Sequence, residues 1–304
     1  MKVLLTGASG FVGRHLLARL VRAGAEVHAV GRTPPTPLPG CYWHTLDLLD
    51  AAPRYALLQD LKPTHLIHLA WTTAHGHYWH DPRNHDWVLA SLALLDEFAA
   101  VGGEHALFAG TCAEDDWRKP TQPPSGGCTA ATRYGRSKAA LRLLALDRAE
   151  QLGLPLAWGR IYFPFGPGEQ PQRLVPSLSR QLLAGLPAAT GPGTLERDFV
   201  YVGDLAAMMM LVSERRHAGA LDLSTGRATP IGTLAAELAE LAQRPDLLRV
   251  GALPAREGDP QRLVGSDDVL RSLGWHAEIG LSEGLRHTLA WWRAQHQGSV
   301  HENQ

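Results

Sequence analysis

The sequence predicts an α/β protein in which a Rossmann-type, doubly wound parallel sheet is joined to a smaller, mainly helical C-terminal domain. In the first half of the chain, short apolar runs alternate with longer stretches of helical spacing. This is the pattern of βαβ units, which build parallel sheets. The first apolar run ends in a glycine-rich segment. From about Phe165 onward, prolines become frequent and strand patterns become rare.

Each predicted strand is a short apolar run bounded by polar or turn residues. The strands are predicted at residues 2–5, 26–30, 65–69, 106–108, 155–161 and 221–223. Apolar residues at helical spacing follow the first strand from Phe11, and helices are also predicted near residues 83–100 and 132–152. A later helix over residues 176–184 has proline in its first turn and Gly185 just past its end.

The length of 304 residues suggests about two domains at roughly 150 residues each. We expect residues 1–164 to form the sheet-containing domain, with a segment of about 197–225 returning to it. Residues 165–196 and 226–294 are expected to form the second domain, which would bind the substrate. The polar residues 295–304 are expected to be a frayed tail.

The charge of the chain is balanced, since 29 basic and 30 acidic residues leave a net charge of -1. This balance gives no general attraction to nucleic acid or to anionic membranes, so we expect neither as a partner. The chain has no run of 18 or more apolar residues, which is the length that could span a bilayer. Cys41, Cys112 and Cys128 have neither CxxC spacing nor the density of a disulfide scaffold, and the opening apolar run is too short for a signal peptide. We therefore expect a reduced, cytoplasmic protein.

The glycines that follow the first strand are spaced three residues apart, at Gly7, Gly10 and Gly13. In a dinucleotide-binding turn, the first glycine permits the sharp turn, the second admits the pyrophosphate and the third lets the helix pack on the strand. A plain tight turn is the alternative, because the spacing differs by one residue from GxGxxG. The predicted cofactor contacts in this segment are Gly7, Ser9, Gly10, Phe11, Val12 and Gly13.

The end of the second strand normally selects the dinucleotide. It reads Val30-Gly31-Arg32 here, with no acidic residue to accept from the ribose of NAD. An arginine accommodates a 2′-phosphate, so NADP(H) is favoured and NAD(H) stays open. Asp47, with Leu48 beside it, is assigned to the adenine, although Asp47 also suits a turn.

Tyr134 and Lys138 lie four residues apart in a helical pattern, which places them on one helix face. A free tyrosine has a pKa of about 10, and a neighbouring ammonium brings it closer to working pH. The pair therefore has the chemistry of an acid/base catalyst, although an isolated YxxxK is also common as a surface pair.

Taken together, these motifs resemble the extended short-chain dehydrogenases, the NAD-dependent epimerase/dehydratase family. The resemblance covers nearly the whole chain, and within the family it is nearest to nucleotide-sugar 4-ketoreductases. It rests on the segments 6–13 (TGASGFVG), 68–70 (HLA), 134–138 (YGRSK), 197–205 (RDFVYVGDL) and 256–259 (REGD).

The resemblance implies a role for each matching residue. Tyr134 is the general acid/base, Lys138 lowers its pKa and holds the nicotinamide ribose, and Thr111 hydrogen-bonds the reacting oxygen. Asn84 matches an asparagine beside the substrate. The remaining implied contacts are Leu69 and Ala70 on the cofactor and Arg197 and Arg256 on the diphosphate of a nucleotide-linked sugar. For each arginine, a surface ion pair is the alternative.

Two of the family's reactions lose support from the residues after Thr111. The 4,6-dehydratases carry Asp-Glu there, whereas this chain has Cys112-Ala113. Members similar to GDP-fucose synthase pair a cysteine at the position of Cys112 with a distant histidine, and Arg173 stands at the histidine's position. Cys112 and Arg173 are therefore kept as substrate-pocket residues without an epimerase role.

The resemblance then implies NADPH-dependent reduction of the C4 ketone of a nucleotide-linked 4-keto-6-deoxysugar. A nucleotide-sugar 4-epimerase with retained NAD is the main alternative, and a non-catalytic NAD(P)-sensing protein is a remote one. A homodimer through the helices near residues 83–100 and 132–152 is expected by resemblance. The histidines of segment 75–85 match no familiar metal spacing, so we predict no metal and an aromatic pocket wall. The acidic run at 114–116 is expected either to border the same cleft or to form a solvated turn.

Overall fold

The structure is a computed structural model that describes residues 1–34, 38–74, 76–115, 130–255 and 258–301. Its strands are β1 (Lys2–Thr6), β2 (Glu26–Gly31), β3 (Cys41–Thr45), β4 (His65–His68), β5 (His105–Thr111), β6 (Leu156–Ile161), β7 (Phe163–Phe165), β8 (Ala188–Ala189), β9 (Glu196–Arg197), β10 (Phe199–Tyr201), β11 (Gly219–Leu223), β12 (Thr229–Pro230), β13 (Leu248–Arg249) and β14 (Arg262–Leu263). Its α-helices are α1 (Phe11–Arg22), α2 (Ala51–Leu61), α3 (Asn84–Ala100), α4 (Arg133–Leu152), α5 (Leu174–Leu183), α6 (Val202–Glu214), α7 (Ile231–Leu241), α8 (Asp268–Ser272) and α9 (Leu281–His301).

The central sheet has seven described strands, in the order β11-β6-β5-β4-β1-β2-β3, and every pairing between them is parallel. The order reverses at β1, which lies between β4 and β2. In open parallel sheets, ligands bind at the carboxyl ends of the strands beside this reversal. The predicted Rossmann-type fold is therefore confirmed, and its switch point lies where the glycine turn follows β1.

Helices cover both faces of the sheet, as the apolar pattern of the strands requires. Successive side chains of a strand point to opposite faces. Val3 and Leu5 thus join a core cluster with α1 and α6, whereas Leu4 joins a second cluster with α3 and α4. All three side chains are at most 1% exposed.

A third hydrophobic cluster lies away from the sheet and is built largely from the C-terminal third of the chain. It joins α5, α7 and α9 through side chains such as Leu178, Leu234 and Leu285, with Phe165 and Phe199 packed among them. Five short two-residue strands, β8, β9, β12, β13 and β14, border it. This is the mainly helical second region that the sequence predicts.

The predicted strands all occur, with ends that differ by a few residues, and β3 is an additional strand. Its sequence, Cys-Tyr-Trp-His-Thr, lies at the sheet edge, with Tyr42 and Thr45 exposed and the other three residues half-buried. Such an edge strand lacks the continuous apolar run that marks the buried strands. Among the described residues, no helix is both long enough and apolar enough to cross a lipid bilayer.

Candidate active site

The turn between β1 and α1 is shaped for a close approach of other backbone. Gly7 has φ +71°, and a Cβ there would lie 2.8 Å from the Ala70 nitrogen and from the Leu69 carbonyl carbon. A Cβ at Gly13 would lie 2.1 Å from the Gly7 oxygen. Only glycine fits both positions, so β1, β4 and α1 can meet at one point.

This turn also offers the free N–H groups of a helix N-terminus. Gly10 precedes α1 in an extended conformation, no side chain caps the helix, and no acidic residue lies in its first turn. Ser9 and Gly10 are exposed, and Phe11 and Val12 are half-buried. An anion is favoured at such a terminus by the unpaired N–H groups and the helix dipole, so the residues present fit a dinucleotide pyrophosphate.

The strand ends beside this turn hold the residues predicted for the adenosine half. Arg32 is exposed directly after β2. A Cβ built on Gly31, the residue just before Arg32, would lie 3.6 Å from the Ser9 hydroxyl oxygen. Asp47 accepts a 3.0 Å hydrogen bond from the Leu49 nitrogen, as an Asx turn does, and Leu48 is buried. The turn role of Asp47 is thus observed, and its contact with adenine stays a prediction.

Tyr134 and Thr111 come together at the carboxyl end of β5. Thr111 ends that strand, Tyr134 lies in the first turn of α4, and their side chains interact. Burial raises the pKa of Tyr134 well above its usual range, and the interaction with Thr111 opposes this in part. The phenol is therefore protonated at neutral pH and can donate a proton.

One helical turn later, the Lys138 ammonium is buried beneath the same strand. It donates a 2.8 Å hydrogen bond to the Ala109 carbonyl and lies 3.8 Å above the centre of the Trp71 ring. Burial lowers the pKa of Lys138, and the nearby Glu114 carboxylate opposes that shift. The helical spacing thus places Tyr134 and Lys138 on one side of the cleft, as predicted.

Glu114 is neither a cleft residue nor part of a solvated turn. Its side chain is 0% exposed, and its oxygens accept from the Thr111 nitrogen at 2.8 Å and from the Trp158 indole at 3.1 Å. Arg142 lies 3.2 Å from it in a buried ion pair. Sequence reasoning missed this role, although Arg142 continues the spacing of four that links Tyr134 and Lys138. Of the rest of the acidic run, Asp115 pairs with the buried Arg160, and residue 116 lies outside the described residues.

Asn84 organises the loop that lines the cleft. Its side-chain amide donates to the carbonyls of Tyr78 and Asp81 at 2.8 Å, and its oxygen accepts from the Trp71 indole at 2.7 Å. Asn84 is fully buried. Its amide is thus engaged by the loop, and the predicted contact with substrate stays a prediction.

That loop forms an aromatic wall around Tyr134. The rings of Tyr78 and Trp79 meet the Tyr134 ring edge-on, with centroids 5.0 Å and 5.8 Å away. The Tyr134 nitrogen also donates to the Trp79 carbonyl at 3.1 Å. His75 lies outside the described residues, and no group of three or more potential metal ligands occurs among those that are described. Aromatic side chains therefore wall the described part of the cleft.

Two further predicted pocket residues lie near this wall. The Arg173 guanidinium is 5.6 Å from the centre of the Tyr78 ring, and Arg173 directly precedes α5. Cys112 is 6% exposed, and burial raises the pKa of its thiol to about 12. A neutral thiol is a poor acid/base group at neutral pH, which agrees with the absence of an epimerase pair.

Of the two arginines predicted to bind a diphosphate, the structure describes Arg197 but not Arg256. Arg197 is 3% exposed and donates to the Asp259 carboxylate at 2.6 Å and to the Pro260 carbonyl at 3.0 Å. Its aromatic neighbour is Phe163, 5.6 Å away. Arg256 lies outside the described residues. Arg197 thus joins β9 to the segment that follows residue 257, and its contact with a diphosphate stays a prediction.

The family can now be assigned. The model of the NAD-dependent epimerase/dehydratase family matches residues 3–223, which span the glycine turn, Thr111, Tyr134 and Lys138. The chain belongs to this family. Members bind NAD or NADP on a Rossmann-type fold, and proteins similar to this chain include nucleotide-sugar reductases, epimerases and dehydratases.

Three similar proteins show this range. The chain is 28% identical to the GDP-6-deoxy-D-mannose reductase of Pseudomonas aeruginosa, with 97% of this chain and 98% of that protein covered. It is 23% identical to a trifunctional UDP-glucose 4,6-dehydratase/3,5-epimerase/UDP-4-keto-L-rhamnose-reductase of Arabidopsis thaliana over 95% of this chain, which spans 47% of that protein. The crystal structure of Thermus thermophilus UDP-glucose 4-epimerase with NAD has a TM-score of 0.83 at 27% identity, with 96% and 99% of the two chains covered.

Proposed function

We propose that the protein reduces the C4 ketone of a nucleotide-linked 4-keto-6-deoxysugar with NADPH. The observation that carries the proposal is the half-buried Tyr134 phenol beside Thr111, with the buried Lys138 ammonium one helical turn away. A reductase needs a proton donor at the carbonyl oxygen, and Tyr134 is in that form. The similarity of the protein to GDP-6-deoxy-D-mannose reductase, which covers 97% of the chain, supports the same reaction class.

In this proposal the residues of the chain supply binding and proton transfer, and bound NADPH supplies the hydride. Thr111 and Tyr134 hydrogen-bond the C4 oxygen and orient the carbonyl. As that oxygen gains negative charge, the Tyr134 hydroxyl donates its proton to it. The charge of Lys138 stabilises the phenolate that is left, and its ammonium holds the nicotinamide ribose.

The cofactor preference is proposed from the carboxyl end of β2. Arg32 is exposed there, and the following described residues to 34 include no acid that could accept from a ribose 2′-hydroxyl. A guanidinium at this place pairs with a 2′-phosphate. NADPH is therefore proposed over NADH.

The substrate is proposed to be a sugar nucleotide whose diphosphate lies toward Arg197 and Arg256. A diphosphate would compete with the Asp259 carboxylate for the Arg197 guanidinium. Both groups are anions whose oxygens accept hydrogen bonds from a guanidinium. A 4,6-dehydratase activity is not proposed, because Cys112 and Ala113 stand after Thr111 and Glu114 is buried in an ion pair with Arg142.

A second candidate is a 4-epimerase that retains NAD. Its specific support is the likeness to the Thermus thermophilus UDP-glucose 4-epimerase, which covers 96% of this chain. In that reaction Tyr134 first accepts a proton and then returns it, so the phenolate form is required. The exposed Arg32 after β2 favours the reductase, because this residue suits a 2′-phosphate and a 4-epimerase would retain NAD.

The two functions separate in one assay. Purified protein is incubated with NADPH, or with NADH, and dTDP-, GDP- or UDP-4-keto-6-deoxysugar, and absorbance is followed at 340 nm. A reductase consumes NADPH with at least one of these sugars, and Tyr134→Phe abolishes the loss. Conversion of UDP-glucose to UDP-galactose without added reductant, together with no NADPH oxidation, would establish the epimerase instead.

A further inference from the structure

The Lys138 ammonium is enclosed on several sides by the chain. The Ala109 carbonyl accepts its hydrogen bond at 2.8 Å, the face of Trp71 lies 3.8 Å away, and the Trp158 ring lies 6.0 Å away. Lys138 is 4% exposed. A buried ammonium with one neutral acceptor and aromatic faces tends to lose its proton unless a negative charge lies nearby.

Glu114 supplies that negative charge from beneath Thr111. Its oxygens accept from the Thr111 nitrogen and from the Trp158 indole, and the ring of Trp158 lies 6.0 Å from the Lys138 ammonium. The negative charge of Glu114 opposes the lowering of the Lys138 pKa by burial. Arg142, one turn beyond Lys138 on α4, completes the ion pair at 3.2 Å. Burial raises the pKa of the Glu114 carboxyl group, and the Thr111 nitrogen and the positive charge of Arg142 oppose that shift.

The space for this carboxylate is provided by a glycine. A Cβ at Gly110 would lie 2.7 Å from the Glu114 oxygen and 2.3 Å from the Trp158 indole nitrogen. Both distances are shorter than real Cβ contacts. The glycine in the strand that carries Thr111 and Ala109 therefore leaves space for the Glu114 carboxylate next to the strand.

We propose that Glu114 is a positioning residue that keeps the Lys138 ammonium charged and seated between Ala109 and Trp71. The carboxylate reaches the reaction through Lys138 and through the Thr111 backbone, and it does not touch the substrate. The inference deepens the proposed function and rests on it for the role of Lys138 at the cofactor. Among the described residues, the ionisable groups that face Lys138 and Glu114 are His68, Cys112, Tyr134, Arg142 and Arg160.

Of these groups, His68 does not compete for the role. It is 3% exposed and burial lowers its pKa to about 3, so it stays neutral at working pH. Guanidinium groups are effectively always protonated in proteins. Burial raises the pKa values of the Tyr134 hydroxyl and the Cys112 thiol, so neither loses its proton near neutral pH. Among the described groups, Lys138 and Glu114 are therefore the pair whose titration the inference concerns.

The test is the pH dependence of dinucleotide binding, measured by the fluorescence of bound NADPH, or of NADH if that binds more tightly, from pH 5.5 to 9.5. Loss of the Lys138 charge should weaken binding as pH rises. In Glu114→Gln the midpoint of that loss should move to lower pH by about one unit or more. Lys138→Met should bind weakly with a flat profile, and Glu104→Gln, at an exposed pair with Arg216, should match the wild type.

A second variant covers the case in which Glu114→Gln does not fold. Trp71→Leu removes the aromatic face but leaves the carboxylate, and it should move the midpoint in the same direction by about half a unit. A purely structural role for Glu114 would lower affinity equally at every pH. Midpoints equal to that of the wild type in the folded variants would overturn the inference. Binding that does not change with pH in the wild type or in the variants would also overturn it.

The binding assay also separates this inference from the proposed function. It uses no sugar, so a chain that binds NADPH with the predicted shift but reduces none of the sugars contradicts the reductase alone. A chain that reduces a sugar but shows no shift in Glu114→Gln contradicts the role of Glu114 alone. Binding of neither dinucleotide contradicts both.

Discussion

At the scale of single residues, the cleft joins a protonated phenol to a buried ammonium. The side chain of Tyr134 interacts with Thr111, and the Lys138 ammonium donates a hydrogen bond to the Ala109 carbonyl. Both belong to one face of α4, because four residues make about one helical turn. Behind them Glu114 and Arg142 form a buried ion pair. Tyr134, Lys138 and Arg142 therefore lie on successive turns of one helix.

The cofactor preference depends on a single exposed side chain. In Arg32→Ala, the dissociation constant for NADPH should rise about tenfold or more, because a charge-assisted contact to the 2′-phosphate is worth about 1.5–3 kcal/mol. Affinity for NADH, which lacks that phosphate, should change little. Titration of nicotinamide fluorescence measures both, and Arg22→Ala, on the exposed end of α1, is the matched control. Equal losses for the two dinucleotides would show that Arg32 does not select between them.

At the scale of elements, the site depends on how closely α1 approaches β1 and β4. The glycine spacing predicted that approach, and Gly7 and Gly13 allow it through contacts in which a Cβ has no space. The strands β1 and β4 are also joined by the His68 imidazole, which is hydrogen-bonded to the Thr6 hydroxyl at 2.7 Å and to Ser91 of α3 at 2.9 Å.

Gly13→Ala should destabilise the protein by about 2 kcal/mol or more, because the added methyl group overlaps backbone of the first turn. It should also weaken dinucleotide binding, since the turn must open to relieve the overlap. Chemical denaturation measures the stability. Gly280→Ala is the control, because a Cβ there meets nothing within 4 Å. Equal stability of the two variants would contradict close packing at Gly13.

Burial of His68 predicts an acid-sensitive fold. Its pKa falls from 6.5 to about 3 on folding, so the unfolded chain binds the proton more tightly. The stability that this provides is fully present above about pH 6.5 and is lost as pH falls toward 3. In His68→Gln, the free energy of unfolding should depend less steeply on pH over that window. Urea denaturation at pH 7, 5 and 4 measures the slope, and parallel curves for the two proteins would contradict a neutral, buried His68.

Strong local signals explain what the sequence predicted at this scale. The buried strands, α3 and α4 carry long apolar patterns, and Tyr134 with Lys138 follows from helical spacing. The edge strand β3 has no such pattern. Glu114 could not be predicted, because a Glu-Asp-Asp run is usually solvated and its burial depends on Arg142, 28 residues later. The pairing of Arg197 with Asp259 could not be predicted either, because the two residues lie far apart in the sequence and meet only in the folded chain.

At the scale of the whole molecule, the reversal of strand order at β1 places the glycine turn, the end of β5 and the aromatic loop at one edge of the sheet. The third hydrophobic cluster brings α5, and with it Arg173, to the same edge. In the proposed function, a cofactor held on the sheet and a sugar nucleotide held by the second region would meet at Tyr134.

We also propose that two copies associate through α3 and α4. Leu141 and Ala145 are 0% exposed in the core, but Leu89 of α3 and Leu144 of α4 are 70% and 50% exposed. Burial of such side chains against a second copy would remove apolar surface from water. Analytical ultracentrifugation should give twice the 33.0 kDa mass of one chain, and Leu89→Asp with Leu144→Asp should give a monomer. A wild-type monomer at micromolar concentration would contradict the dimer.

The most direct measurement of the reductase is the fate of the transferred hydrogen. The wild-type protein is incubated with NADPH deuterated at the nicotinamide C4 position and with a nucleotide-linked 4-keto-6-deoxysugar, and the product is examined by NMR and mass spectrometry. We predict one deuterium at sugar C4, with stoichiometric oxidation of NADPH, and no product from Tyr134→Phe. Recovery of the 4-keto sugar without deuterium at C4 and without NADPH consumption would contradict the reductase.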